Sequence, residues 1–486
     1  MIDVCLILEG TYPYVAGGVA TWVHQLVSAM RDLRFGIVYI APQSDPTRRA
    51  KYTIPPHVLF LREIYLHDYV VESTRRRDPT DADFAQLAAW YDDLAQARYD
   101  RFPALVRSFQ GDARCFDLPT LFGHRAIWDL LCRWHLRVAP SVSFLDFFWT
   151  WRATHLPLAQ VSIAAIPPAR IYHAVSTGYA GWFAAMAKLQ HHAAMLLTEH
   201  GIYSYERLLE ISQANWIYEE AQPRVRAARQ LPFFKQWWVQ LFHVLSGVAY
   251  AQADQIFTLY EGNKTQQVLG GAAPEKIAII PNGIDLDRLL LVTRTRSAKP
   301  QIGLVGRVVA IKDVKTYLQA AQRVCEAMPA AHFFVIGPAD EEPEYAEECR
   351  RLVRLARLED HVTFTGRVDP LEYYRFLDLV VLTSVSEAQP YVILEANGVG
   401  IPVVATDVGA CREMLEGRGP DDRALGVSGL LTELANPDAT AAAILQLLRD
   451  RALYDRCAEA GQTRVRRYYD QTDLLSRYLN WYERYL

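Results

Sequence analysis

The sequence predicts an α/β protein built from two doubly wound domains. Three observations lead there. Short runs of valine, isoleucine and leucine recur along the chain, each followed by a stretch with helical spacing. Several of these runs end in glycine, as at Gly306, Gly337 and Gly366, which is where the backbone of a parallel sheet meets its ligand. The series occurs twice, divided near Pro281-Asn282-Gly283-Ile284-Asp285.

Taken in order, Val4–Leu8 reads as a buried first strand, and residues 9–18 as a loop holding Pro13 and Gly17-Gly18. Val19 to Val27 then has helical spacing, which completes the first strand–turn–helix unit. The glycine pair either makes a tight turn or lets a ligand approach the backbone, and the sequence leaves both open. Gly36–Ala41 is the next strand. From about 73 to 160 acidic, alanine and aromatic residues recur at helical spacing, which predicts a helical insertion. Its aromatic run, Phe144, Phe147, Phe148, Trp149 and Trp151, reads as core packing. Strands return at Ile171–Val175 and Met195–Thr198, and the second runs into Glu199 and His200 at the ligand edge of the sheet.

Phe233 to Phe242 is an aromatic helix preceded by Arg224, Arg226 and Arg229. It reads as a domain-packing helix, with docking on a membrane or a partner as the alternative. Asp254–Thr258 and Ile277–Ile280 are strands. The Asn282-Gly283 pair predicts a turn with positive φ. Asp285-Leu286-Asp287 has the look of a metal-binding triplet, but a carboxylate capping a helix that begins near Leu286 explains it better. The expected division is therefore a first domain over 1–285, a linker over 286–299, a second domain over 300–465 and a last helical segment over 466–486. Strands of the second domain are expected at Ile302–Gly306, Ala331–Gly337, Val362–Gly366, Leu377–Thr383 and Gly400–Thr406.

The chemistry gathers around Ser386–Ala396, which reads as strand end, loop and helix start. Pro390 suits a first helical turn, where its missing N–H costs nothing. The N–H groups of Tyr391, Val392 and Ile393 would then face an anion. Glu387 and Glu395 bracket that site and would repel a phosphate, so they are expected to accept hydroxyl hydrogen bonds. Hydroxyls beside a phosphate describe a sugar nucleotide. Arg307 and Lys312 follow the first strand of the second domain and are expected to reach the same anion, neutralising charge that grows as a sugar–phosphate bond breaks.

Composition narrows the rest. With 486 residues, 51% hydrophobic and 22% charged, the chain can bury two or three domains. A formal net charge of -4 without a long basic run argues against nucleic acid as the main partner. The seven scattered cysteines fit buried thiols better than a disulfide frame or a zinc site. The chain opens on a strand, with no positively charged leader and no run long enough to cross a bilayer, so a cytoplasmic protein is expected.

These motifs resemble the retaining glycosyltransferases of family four, which have the GT-B fold. The matching residues are Gly17-Gly18, Thr198-Glu199-His200, Pro281 to Asp285, Gly306-Arg307 with Lys312, Phe364-Thr365-Gly366, and Glu387 with Glu395 in E-x7-E spacing. A narrower set, Thr198 to Tyr203, Leu259 to Asn263, Ser386 to Pro390 and Val408 to Glu413, looks like the cytosolic glycosyltransferases of bacterial Pel exopolysaccharide synthesis. The resemblance implies two Rossmann-like domains facing across a cleft, the first on the acceptor side, with the final helix crossing back to it. It implies a UDP-sugar donor, UDP-glucose in particular, a polysaccharide acceptor, and membrane synthesis and export components as partners, which would bring the protein peripherally to the inner membrane. Retention by front-face attack and no required metal or cofactor are implied as well. Arg307 and Lys312 would hold the diphosphate, Glu395 the ribose, Glu387 the donor sugar, and the backbone near Val368 the uracil. Gln389, Pro390, Tyr391 and Val392 would flank sugar and phosphate, His200 would lie near the sugar 6-hydroxyl, and Gly17 and Gly18 would adjoin the diphosphate. Two positions depart from the family pattern: Lys312 is followed by Asp313 where glycine is frequent, and His200 by Gly201 where aspartate is frequent. A sugar-nucleotide sensor or scaffold of a membrane synthase and a GT-B epimerase are the alternatives.

Overall fold

The computed structural model describes residues 2–69, 72–94, 96–214, 216–217, 231–295 and 297–486. Arg224, Arg226 and Arg229 lie outside the described residues. The chain forms two compact units: Met1–Thr258 with Asn263–Ile279 and Leu479–Leu486, and Leu259–Gly262 with Ile280–Tyr478. Each is a parallel-sheet α/β unit.

The first unit is organised by seven strands: β1 (Ile2–Glu9), β2 (Phe35–Ala41), β3 (Val58–Tyr65), β4 (Ala169–Ala174), β5 (Ala194–Glu199), β6 (Gln255–Thr258) and β7 (Ile277–Ile279). Their order is β3-β2-β1-β4-β5-β6-β7, with every neighbouring pair parallel. Strand order reverses between β1 and β4, the position at which doubly wound sheets bind ligands. Central strands covered on both faces read as unbroken apolar runs, and β1 and β2 are buried almost throughout. The edge strand β3 exposes Leu59 and Arg62 and has no such run, and the sequence reading does not find it.

Between β3 and β4 lie the helices Asp81–Leu94, Phe102–Phe109, Leu118–Gly123, Arg125–Val138 and Phe144–Ile163, the expected insertion. Asp117 caps one of them by accepting from Thr120 N. Within the aromatic run, Phe147 and Trp151 are buried as expected, while Trp149 is 53% exposed. The aromatic helix runs over Phe233–Gln252 and buries Phe234, Leu241, Phe242 and the stretch 244–250 inside its own unit. Tyr482, near the chain end, donates to or accepts from buried His173 Nδ1 at 2.6 Å, so the last residues are part of this unit's core.

The second unit repeats the topology with β8 (Gln301–Val305), β9 (His332–Ile336), β10 (Val362–Gly366), β11 (Leu379–Leu382), β12 (Val403–Thr406) and β13 (Gly429–Thr432). The order β10-β9-β8-β11-β12-β13 is again all parallel. The stretch 286–299, expected as a linker, groups with this unit and carries the helix Leu286–Leu290, whose Leu289 packs over Gly398. Asp285 caps that helix by accepting from Arg288 N at 3.1 Å, as the capping reading expects. Asn282-Gly283 does not form a positive-φ turn. Gly283 is needed for another reason: an added Cβ would lie 2.6 Å from Gln471 Cα, where segment 469–471 bonds Ile284 on both sides.

Arg464 is fully buried and ties the loop 415–426 to its helix. Its guanidinium donates to Asp422 Oδ1 and to the carbonyls of Leu415, Asp422 and Gly426. All seven cysteines are free, and six are buried. Among the described residues no helix is long and apolar enough to cross a membrane.

Candidate functional site

In the second unit the carboxyl ends of β8, β9 and β11 carry most of the predicted residues. Gly306 ends β8 with a φ of 157°, and an added Cβ on Gly337, which ends β9, would meet the Gly306 carbonyl oxygen at 2.1 Å. Only glycine allows those two strand ends to approach in this way. The chain then makes a single 3-10 turn, Ala310–Lys312, and passes through Asp313 in the left-handed region at φ 42°, ψ 53°. Aspartate tolerates that conformation better than most residues because its short polar side chain can bond locally. Here it caps the helix Val314–Ala327, accepting from Thr316 N at 3.3 Å and Thr316 Oγ1 at 2.6 Å. Asp313 therefore both takes the left-handed conformation and caps the helix.

Lys312 meets Glu387 directly. Its Nζ lies 2.5 Å from Glu387 Oε1, and Ser384 Oγ donates to the same oxygen at 2.6 Å. Lys312 is 21% exposed and Glu387 12%. The loop carrying Glu387 is fixed from below. Val385 N donates to the Ile311 carbonyl, Thr383 Oγ1 to those of Lys312 and Asp313, and Thr406 Oγ1 to that of Ser384. From β12's side, Ala410 N donates to the Ala388 carbonyl, and Gly409 comes so close that an added Cβ would lie 2.0 Å from the Glu387 carbonyl oxygen. The pair is thus held by three strand ends at once. Thr383 and Thr406 have no special signal in the sequence, where they read as ordinary strand residues.

Other predicted residues are placed differently. Arg307 does not join this pair: its Nη1 is taken by both oxygens of Glu341, at 2.5 and 2.6 Å, on exposed surface. Pro390 precedes the helix Tyr391–Gly398 as its cap residue instead of lying in the first turn. Ile393 N is not unpaired, because it donates to the Pro390 carbonyl at 3.2 Å. Gln389 is buried and its Oε1 accepts from Asn282 N at 2.6 Å, so its side chain is a strut for the 281–283 segment. Glu395 accepts from Tyr374 Oη at 2.7 Å, and burial pushes its carboxyl above the ordinary range against that hydrogen bond. Tyr391, Val392 and Val368 are partly buried against the core beneath.

In the first unit, β5 ends in Glu199 and His200. Glu199 is buried and accepts four hydrogen bonds: Thr177 Oγ1 at 3.1 Å, Tyr203 N at 3.0 Å, Tyr250 Oη at 2.7 Å and Gln267 Nε2 at 3.0 Å. Burial raises its carboxyl pKa and these donors oppose the rise. Asn263 Nδ2 holds the His200 carbonyl at 2.8 Å. His200 is 7% exposed, its ring lies 4.9 Å from Trp22 at 75°, and both ring nitrogens lack a partner among the described residues. Burial lowers its pKa to about 4, so the ring is neutral at pH 7. A neutral imidazole has one donor and one acceptor to offer, and unfilled buried polar atoms are expensive unless a ligand takes them. Gly201 also has a local cause: an added Cβ would lie 2.0 Å from Glu206 Oε1, whose carboxylate occupies that space. Gly17 is extended at φ 169° and caps the helix Gly18–Ala29, and an added Cβ there would meet nothing within 4 Å. Neither strain nor packing asks for glycine at Gly17. Among the described residues no group of three His, Cys, Asp or Glu could hold a metal ion.

Residues 2–275 match the family described as Domain of unknown function (DUF3492), and residues 299–450 match the family described as Glycosyl transferases group 1. A D-inositol 3-phosphate glycosyltransferase of Geodermatophilus obscurus is 32% identical over 200 residues, which are 38% of this chain and 42% of that protein. A phosphatidyl-myo-inositol mannosyltransferase of Mycobacterium leprae is 29% identical over 232 residues, 45% of this chain and 55% of that one. The chain thus spans about half the length of these curated relatives. Anabaena HepE, solved in complex with UDP, superposes with a TM-score of 0.59 at 15% identity, covering 98% of each chain. Sucrose-phosphate synthase of Thermosynechococcus elongatus gives 0.60 at 17% identity, covering 99% of this chain and 98% of that one. These likenesses show the GT-B glycosyltransferase fold.

Proposed function

The chain belongs to the DUF3492 family and carries a glycosyl transferases group 1 domain, and from that premise we propose that it moves a sugar from a UDP-sugar to a growing exopolysaccharide. The observation that carries this reading is the Lys312–Glu387 pair, fixed by three strand ends at the carboxyl edge of the six-stranded sheet. A lysine there can donate to the diphosphate as negative charge develops on it. Glu387 keeps Oε2 free of protein partners among the described residues, so it can accept from a sugar hydroxyl while Oε1 holds Lys312. Glu395 serves the ribose and the backbone near Val368 the base. Arg307 leaves Glu341 for the diphosphate when donor binds. His200 takes a sugar hydroxyl with its unpartnered nitrogens, and the open space at Gly17 and the adjoining Gly18 admit substrate. The backbone from Gln389 through Pro390 and Tyr391 to Val392 flanks sugar and phosphate.

In the step, the sugar–phosphate C–O bond breaks, its electron pair stays on the phosphate oxygen, and the acceptor hydroxyl attacks from the same face. The acceptor's proton passes to a donor phosphate oxygen, which retains the anomeric configuration and needs no metal. UDP-glucose is the first donor to test, since HepE has been solved with UDP-glucose. The motifs of residues 198–203, 259–263 and 408–413 resemble those of PelF, which makes Pel polysaccharide the preferred product and the membrane components of its synthesis the preferred partners.

The test incubates purified protein with UDP-glucose and oligosaccharide acceptors and follows the anomeric proton by NMR. An α-linked product from the α-linked donor supports the proposal. Epimerised UDP-sugar without acceptor would replace it with an epimerase, and UDP binding with no turnover on any acceptor would replace it with a sensor.

A further inference from the structure

The aromatic residues of the helical insertion do more than fill a core. Helices Asp81–Leu94, Arg125–Val138, Phe144–Ile163 and Phe233–Gln252 line an open cavity of about 360 Å³ in the first unit. That lies within the ~300–1,000 Å³ range of ligand pockets. Its walls include Trp90, Trp134, Trp237, Leu158, Leu241 and Val244. The rings are mutually buttressed: Tyr91 to Trp134 is 4.8 Å between centroids, Trp134 to Trp237 is 5.0 Å, and Tyr91 to His155 is 5.5 Å.

A second chamber of about 350 Å³ adjoins it, sharing Tyr91 and Trp134 as walls. Its other lining residues include Asp92, Arg133 and Arg137. Helix geometry explains the division. Trp134 and Val138 lie one turn apart and face the apolar chamber, while Arg133 and Arg137, one position back, face the polar one. Arg137 is held by Asp92 at 2.6 Å, whereas Arg133 makes no hydrogen bond or ion pair with the described residues. The polar chamber therefore keeps one net positive charge beside an aromatic, aliphatic chamber.

We propose that these adjoining chambers, which share the rings of Tyr91 and Trp134, bind a single-chain anionic amphiphile, with its alkyl chain among Trp90, Trp134 and Trp237 and its anionic group on the exposed Arg133. A free sugar would need several polar partners, and the larger chamber supplies few. An uncharged chain would leave Arg133 unused. The inference is independent of the transfer reaction and would stand if that reaction were absent.

The test titrates the full chain by calorimetry with dodecyl phosphate below its micelle concentration, dodecanol, inorganic phosphate, and phosphatidylglycerol vesicles. Dodecyl phosphate is expected to saturate at one per chain and to bind about tenfold tighter than dodecanol, because a charge-assisted bond to Arg133 is added. Inorganic phosphate is expected to show no saturable binding. Arg133→Gln should remove the tenfold advantage and leave dodecanol unchanged. Val244→Trp, which fills the cavity, should abolish both, and Gln240→Trp at the exposed rim serves if that variant does not fold. The proposal is overturned by no saturable binding of dodecyl phosphate, by equal affinity for dodecanol, by an unchanged Arg133→Gln, or by binding to vesicles alone.

Discussion

Lys312 and His200 are both polar groups at the carboxyl edge of a parallel sheet, one in each unit, and the fold keeps them in opposite ways. Lys312 sits against a counter-ion, with Ser384 completing the carboxylate it leans on. His200 sits against Trp22 with no partner on either ring nitrogen among the described residues. A paired charge of this kind adds little to stability, and removing one partner leaves the other uncompensated. An unpartnered buried ring lowers stability until a ligand meets it. The first arrangement preorganises charge; the second leaves a ring donor and acceptor without protein partners among the described residues.

The difference can be broken by substitution, and the largest effect is expected at the ion pair. Lys312→Ala should lower kcat/KM for transfer by about 10³-fold, or about 4 kcal/mol, by removing a preorganised cation. Steady-state kinetics with a thermal melt of the same sample check it, and a variant that loses melting temperature but keeps its rate would make Lys312 structural. Glu387→Gln keeps the shape but drops the charge, and transfer should fall about 10²-fold. His200→Phe should lower transfer about tenfold yet raise stability by about 1 kcal/mol, since an unfilled buried polar ring is replaced by an apolar one. Chemical denaturation measures that gain, and a variant less stable than the parent would show that His200 has partners in solution.

A further effect concerns pH. The folded pKa of His200 is depressed to about 4 from 6.5, so the unfolded chain takes up the proton first as pH falls. Stability held by the neutral ring is complete above about pH 6.5 and is lost toward pH 4, by at most about 1.4 kcal/mol per unit. The stability difference between His200→Phe and the parent should therefore widen over that window. The raised carboxyls of Glu9, Glu199 and Glu395 act with the opposite sign, and they cancel in this comparison because both proteins carry them. Denaturation midpoints at pH 7 and pH 5 read it.

What the sequence makes legible follows coverage. Central strands such as β1 and β11 are buried on both faces, so their apolar runs are plain. The two strands absent from the sequence reading, β3 and β13, each lie at one edge of a sheet. Edge position alone does not hide a strand, since the edge strands β7 and β10 are read; β3 is interrupted by Arg62 and Glu63, and β13 has only two leucines between a glycine and a threonine. At the site, Lys312, Glu387 and His200 stand out by their place after strand ends and by the spacing of Glu387 to Glu395. Their supports do not: Thr383, Thr406, Asn263 and Gln267 act through hydrogen bonds across long sequence separations. Arg307 is predicted from its place after β8, but its partner, Glu341, comes from the segment after β9, which strand-end reasoning does not see. The Asn282-Gly283 pair predicts a turn, whereas Gly283 is a contact residue for a segment nearly two hundred positions away.

The most direct measurement is calorimetric titration of UDP-glucose into the parent and into Lys312→Ala, both shown to be folded at the titration temperature by their thermal melts. The account predicts saturable binding to the parent and an affinity at least about tenfold weaker in the variant, the scale of a lost charge-assisted contact. Equal affinity in the two proteins would contradict it.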